Sequence, residues 1–179
     1  MDFIDGLPNS NGKTTIFAVV DYLSKVAHFI PISHPYTATS VAQIFLNHVF
    51  KLYGIPKSIV CDRYPVFTSV FWKELAFNYL SAYHPQIDGQ TEVVNRTIEI
   101  YLKCFSSDRP KEWAHWIVWA EYHYNTSLHT TTKKTPYEVV NGRAPPTLLS
   151  YIPGITRVES VDWELQDRDQ VLKQLRKQL

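Results

Sequence analysis

Ser58-Ile59-Val60-Cys61-Asp62 reads as a short buried strand that stops on a carboxylate, and the patterns on either side of it decide the fold class. Just upstream, Val41, Ile44, Phe45, His48, Val49 and Leu52 repeat at helical spacing, a stripe that opens near Thr37. Gly54 and then Pro56 close that helix. The stripe predicts His48 as a packed core histidine. Further upstream, Thr14 to Val20 and Val26 to Ile32 are β-branched and apolar, and Asp21 to Lys25 between them is short enough for a hairpin. The turn formers of Leu7 to Lys13 set off Met1 to Ile4 as the stub of an earlier strand.

Downstream the helical period dominates. Phe71 to Phe77 suggests a short helix, and Val94, Ile98, Tyr101, Leu102 and Phe105 form a strong stripe opposite Glu92, Arg96, Glu99 and Lys103. A third helix runs from about Trp113, with Trp116, Ile117, Ala120 and Tyr124 inward. Thr135-Pro136-Tyr137-Glu138 has the form of a capping box with proline at the first helical position, and Gly142 closes that helix. After the linker Ala144-Pro145-Pro146, the positions Val161, Leu165, Leu172, Leu175 and Leu179 form a last amphipathic stripe. Strands, one helix, a strand ending in a carboxylate, then helices: this order predicts a mixed α/β sheet with helices on its faces.

Bulk properties narrow the class without naming a function. A chain of 179 residues suits one domain with a single core. Lys+Arg 18 against Asp+Glu 17 leaves a net charge of +1, so global charge gives no sign of a nucleic-acid partner. Cys61 and Cys104 make neither a disulfide framework nor a zinc pattern, which fits a reducing compartment. No apolar run reaches the length of a membrane span, and the acidic start Met1-Asp2-Phe3-Ile4-Asp5 is unlike a signal peptide. No Gly-rich phosphate loop, HExxH, GxSxG or CxxC occurs, and the seven histidines show no ligand-like cluster.

Carboxylates are the chemistry-bearing groups that remain. Asp62 stands where a strand stops and a loop begins, a position equally natural for a turn-forming aspartate. Glu92 opens a helix after the shaped loop His84 to Thr91; on spacing alone its first reading is an i, i+4 pair with Arg96. Asp2 on the strand stub is anonymous, and Asp5, Asp21 and Asp88 are equally eligible acids. Spacing leaves the set undecided.

Five ordered runs carry a resemblance. They are Met1 to Pro8, Val19 to Pro31 (VVDYLSKVAHFIP), Tyr53 to Arg63 (YGIPKSIVCDR), Ala82 to Glu92 (AYHPQIDGQTE) and Thr135 to Arg143 (TPYEVVNGR). Together they resemble the integrase catalytic core of Gypsy-type LTR retrotransposons, in the retroviral integrase superfamily, over nearly the whole chain. The resemblance implies a ribonuclease-H-like mixed sheet flanked by helices, with a C-terminal extension helix. Matched motif to motif, it assigns Asp2, Asp62 and Glu92 as the catalytic carboxylates and the ligands of two Mg²⁺ or Mn²⁺ ions. Asp21 is not carried over. Hard divalent cations prefer carboxylate oxygen, and a pair of them suits in-line displacement at phosphorus. The implied activity is 3′-end processing and strand transfer in DNA integration. DNA, as element ends and target, would be the partner; the implied assembly is a homo-oligomer on DNA. No membrane is implied, and the implied location is the nucleus, without a visible targeting signal.

Residues 1–150 are expected to form the core, and 151–179 a linker and the start of a C-terminal helix. The family's N-terminal zinc-binding domain and complete C-terminal DNA-binding part have no counterpart in these residues. Tyr64 stands where the family usually has a second acid, and Cys61 replaces a usual serine. The interval of 30 from Asp62 to Glu92 is shorter than the family norm by about one strand's length. The loss is expected between Leu75 and Ser81, removing most of the strand that leads to the Glu92 loop and, with it, activity. Two functions therefore compete: a live polynucleotidyl transferase core, and an inactive or domesticated transposon remnant that binds DNA or protein. A related ribonuclease-H-like nuclease is disfavoured by the ordered motifs.

Overall fold

The computed structural model describes residues 1–54, 56–61, 82–85, 94, 96, 98–100, 102, 110–147 and 149–178. Its first sheet is an antiparallel meander of β1 (Asp2–Ile4), β2 (Thr15–Val20) and β3 (Ala27–Ile32), in the order β1-β2-β3. Phe3 lies opposite Phe17, and Phe17 opposite Ile30, so period-two alternation runs in step through all three strands. Both faces are covered, which explains why β2 reads as an unbroken apolar run. One face carries Ile4, Ile16, Ala18, Ala27 and Phe29; the other carries Phe3, Phe17, Val19, Ile30 and Ile32.

The first face packs on helices. Val94, Ile98 and Leu102 lie buried there at helical positions, as their spacing predicts. Beside them runs the helix α2 (Trp113–Thr126), burying the stripe Trp113, Trp116, Ile117, Ala120 and Tyr124. Its own N-cap residue, Glu112, makes no side-chain capping bond. Instead Ser10 Oγ accepts from Ala114 N at 3.2 Å, and Trp113 Nε1 donates to Pro8 O at 2.6 Å. An orphan donor of the first turn is thus satisfied from the β1–β2 loop.

The opposite face packs on α1 (Ala38–Phe45), capped by Thr37 and Ser40 and burying Val41, Ala42 and Phe45. The helix then widens into a π-helical turn, Leu46–Phe50, before a last α-turn, Lys51–Tyr53, ending at Gly54 with φ 76°. This overturns one sequence expectation: His48 is exposed, and Leu52 is 57% exposed. An i→i+5 turn advances the chain by more residues than an α-turn, so His48 and Leu52 rotate off the core face while Val49 still packs against it.

Two further strands, β4 (Ser58–Cys61) and β5 (Ala82–Pro85), pair in parallel from Ser58↔Ala82 to Cys61↔Pro85. The sequence expected that fifth strand to be largely lost; it pairs along all four residues of β4. Phe71 to Phe77, the short helix read from sequence, lies outside the described residues. Of the later elements, α3 (Pro136–Asn141) has the expected capping box, proline start and Gly142 in the left-handed conformation, φ 68°. The last stripe forms α4 (Glu159–Gln178), and its Leu172 packs against the first-face cluster.

Candidate active site

β1 is joined to β4 as well as to β2. The Met1 amino group donates to Val60 O at 2.8 Å, and Met1 and Phe3 share a buried cluster with Ile59 and Cys61. Alternation therefore turns Asp2 to the other side, the side on which Ile4 meets Val94, Ile98 and Leu102. Asp2 is half-buried, and its Oδ1 accepts from Phe3 N at 2.8 Å. Cys61, the last residue of β4, is 1% exposed and lies opposite Pro85 of β5.

Of the three carboxylates assigned by resemblance, Asp2 sits in β1, whereas Asp62 and Glu92 lie outside the described residues, as does Asp88. The rival acids have structural work. Asp5 Oδ1 accepts from Thr15 Oγ1 at 2.6 Å, and Tyr36 OH reaches the same carboxylate at 3.3–3.4 Å. Asp21 Oδ2 accepts from Ser24 N and Ser24 Oγ at 2.7 and 2.6 Å, closing the β2–β3 turn in which Lys25 takes a φ of 65°. Among the described residues, no group of three or more His, Cys, Asp or Glu side chains is placed to hold a metal ion.

Sequence patterning assigned no role to Glu121, Asn125, His28 or Tyr53, which form a polar network beside the sheet. Glu121 Oε2 accepts from Phe29 N at 2.8 Å, and Glu121 Oε1 lies 3.1 Å from His28 Nδ1. The second ring nitrogen, Nε2, is 3.1 Å from Tyr53 OH. Both oxygens of a carboxylate accept, so Nδ1 donates and Nε2 accepts from the Tyr53 hydroxyl, a tautomer assigned from the network. Burial first, then the charges of Glu121 and Asp21, push the Tyr53 hydroxyl above its ordinary value and keep it a donor. The one available sequence signal was an acid and an amide four apart on α2.

No family profile matches the chain. Solved structures do. The HTLV-2 integrase catalytic core domain in complex with magnesium, trimeric form, superposes with a TM-score of 0.61 at 20% identity, covering 77% of this chain and 93% of that one. The catalytic core domain of BIV integrase gives 0.57 at 19% identity, over 77% of this chain and 90% of its own. A chain of the simian T-cell lymphotropic virus intasome in complex with the PP2A regulatory subunit B56 gamma gives 0.64 at 17%, over 88% of this chain and 59% of its own. The fold is therefore that of an integrase catalytic core, ribonuclease-H-like.

Sequence relatives give the narrower assignment. The Tf2-3 and Tf2-4 transposon polyproteins of Schizosaccharomyces pombe are each 35% identical to it over 185 residues, covering all of this chain and 14% of each polyprotein. The chain is similar to these retrotransposon polyproteins and spans 14% of their length. The match of 185 residues exceeds the chain's own 179, so the relatives carry residues that this chain lacks.

Proposed function

We propose that this chain is the catalytic core of a Gypsy-type integrase, a divalent-metal-dependent polynucleotidyl transferase that trims element DNA ends and joins them to target DNA. The observation that carries the reading is the seam between β1 and β4. It puts a half-buried aspartate on a strand adjacent to one whose next residue is Asp62. Period-two alternation supports the pairing: Ile59 and Cys61 occupy the face opposite Asp2, so unbroken alternation would turn the next side chain to the Asp2 side. In-register pairing of β5 with β4 supports Glu92 as the third member, since the loop that leads to it starts from a strand anchored beside Cys61.

The donor chemistry fits Mg²⁺ or Mn²⁺, because Asp2, Asp62 and Glu92 offer hard carboxylate oxygens and neither thiolate nor imidazole. When bound, two such ions would stabilise charge on the attacking and leaving oxygens of an in-line displacement. The protein's own contribution is positioning. Phe3 N–H orients the Asp2 carboxylate, the β1–β4 seam fixes strand separation, and the buried clusters on both sheet faces hold that seam rigid. In this reading DNA is the substrate, subunits assemble on it, and the nucleus is the site of action. Residues 1–150 form the core and 151–179 the linker and extension helix. Among the described residues, no helix is long and apolar enough to cross a membrane.

Mn²⁺ tests the reading directly. It should raise the melting temperature, since a ligand of the folded state stabilises it, and Asp62→Asn should remove most of the shift. Mn²⁺-dependent nicking and joining of oligonucleotides bearing element ends should vanish in the same variant. An equal shift in wild type and variant removes Asp62 from the site. The remnant reading draws on one observation, the shortened interval before Glu92. It predicts a Mn²⁺ shift too small to measure in wild type.

A further inference from the structure

Within the described strands β3 stands at the edge of the meander, with β2 on one side only. Its even-numbered residues face β2, as shown where Val26 O accepts from Asp21 N and Ile32 O from Thr14 N. Ala27, Phe29 and Pro31 therefore direct their backbone groups outward, where an open edge would accept another strand. None of the three leaves a donor open. Ala27 N donates to Asn125 Oδ1 at 2.9 Å while Asn125 Nδ2 donates to Ala27 O at 2.8 Å. Phe29 N donates to Glu121 Oε2 at 2.8 Å. Pro31 has no N–H.

We propose that Glu121 and Asn125 act as a surrogate strand that closes β3 against strand addition. The spacing makes this possible, because four helical residues rise about 6 Å and two strand residues about 6.6 Å. Two side chains one turn apart on α2 thus reach alternate residues of β3. Asn125 reproduces the two-bond exchange of a hydrogen-bonded antiparallel pair on a single side chain. Glu121, an acceptor, meets the donor two residues on. The proline completes the edge where α2 supplies no side chain. His28 and Tyr53 steady the Glu121 carboxylate from the α1 side, so three elements converge on one edge. Assembly of this chain then proceeds through surfaces other than sheet continuation at β3.

Amide hydrogen exchange on the whole chain tests the device without any mutation. Ala27 and Phe29 should exchange as slowly as Ile30, whose amide faces β2. Glu121→Ala should accelerate Phe29 at least tenfold and Asn125→Ala should do the same for Ala27, each leaving Ile30 unchanged; Glu121→Gln should restore protection at Phe29. The double alanine variant should self-associate more than wild type by light scattering. Fast exchange of Ala27 and Phe29 in wild type overturns the proposal. So does a folded double variant with both amides still protected, or with unaltered association.

Discussion

Thr135 and Glu138 exchange hydrogen bonds across the start of α3. Glu138 N donates to Thr135 Oγ1 at 3.1 Å, and Thr135 N and Oγ1 both donate to Glu138 Oε2 at 2.9 Å. The backbone N–H of Thr135, then its hydroxyl, hold the Glu138 carboxyl below its ordinary value. A depressed folded value stabilises the cap above the ordinary carboxylate range, and that contribution is lost as pH falls through the folded value. Exchange protection at Val139 and Gly142, whose amides donate to Thr135 O and Glu138 O, should therefore fall on acidification earlier than protection in β2. Thr135→Ala should cost about 1 kcal/mol in chemical denaturation, the usual loss for an N-cap. A neutral result would mean that Pro136, fully buried at the first helical position, holds the turn without the cap.

Elements differ in how strongly they are tied to the core. α2 is fixed at both ends, by Trp113 and Ala114 to the β1–β2 loop and by Glu121 and Asn125 to β3. α4 is tied chiefly to its own approach: Tyr151 OH and Gly154 N donate to Asp162, Tyr151 N donates to Asp169, and Arg168 reaches Leu149 O at 3.0 Å. Leu172 adds a contact with the first-face cluster. Truncation after Gly154 should leave one cooperative unfolding transition, lowered by roughly 2–4 °C for each kcal/mol that the Leu172 contact contributes. Loss of cooperativity would make α4 part of the core. The difference between these elements also explains what sequence reading reached. The capping box of α3, the β2–β3 hairpin and the inward stripe of α2 rest on signals within a few residues. The π-turn that expels His48, the cap lent by Ser10 across 104 positions, and the Glu121 and Asn125 bonds across 92 and 98 positions are tertiary, with no local pattern to betray them. For the site, spacing left Asp2, Asp5 and Asp21 equal, and resemblance chose Asp2; Asp5 and Asp21 carry hydrogen bonds that build a strand end and a turn.

At the scale of the whole molecule, the question is where the shortened interval is absorbed. A parallel pair needs a crossover of a dozen or more residues, and the twenty or so between β4 and β5 exceed that. Ser58↔Ala82 through Cys61↔Pro85 pair without slippage, so the strand that starts the Glu92 loop is present beside β4. The inactivity expected from sequence rested in part on that strand being gone, and its presence bears on that part of the expectation. Inserting about six residues between Leu75 and Ser81, the excess of the relatives' match over this chain, should leave the Mn²⁺-induced rise in melting temperature unchanged within error. Each version is compared with its own Asp62→Asn variant, so that Mn²⁺ bound elsewhere drops out of the comparison. Exchange protection at Val60 and His84 should also match between the two versions, because β4–β5 pairing is already complete. If the insertion instead creates a large Asp62-dependent shift where the shorter chain has none, the crossover does pull Glu92 out of place. Two-metal chemistry depends on placement, and a displacement of about 1 Å costs on the order of a hundredfold in rate. That outcome would move the chain from transferase core to remnant.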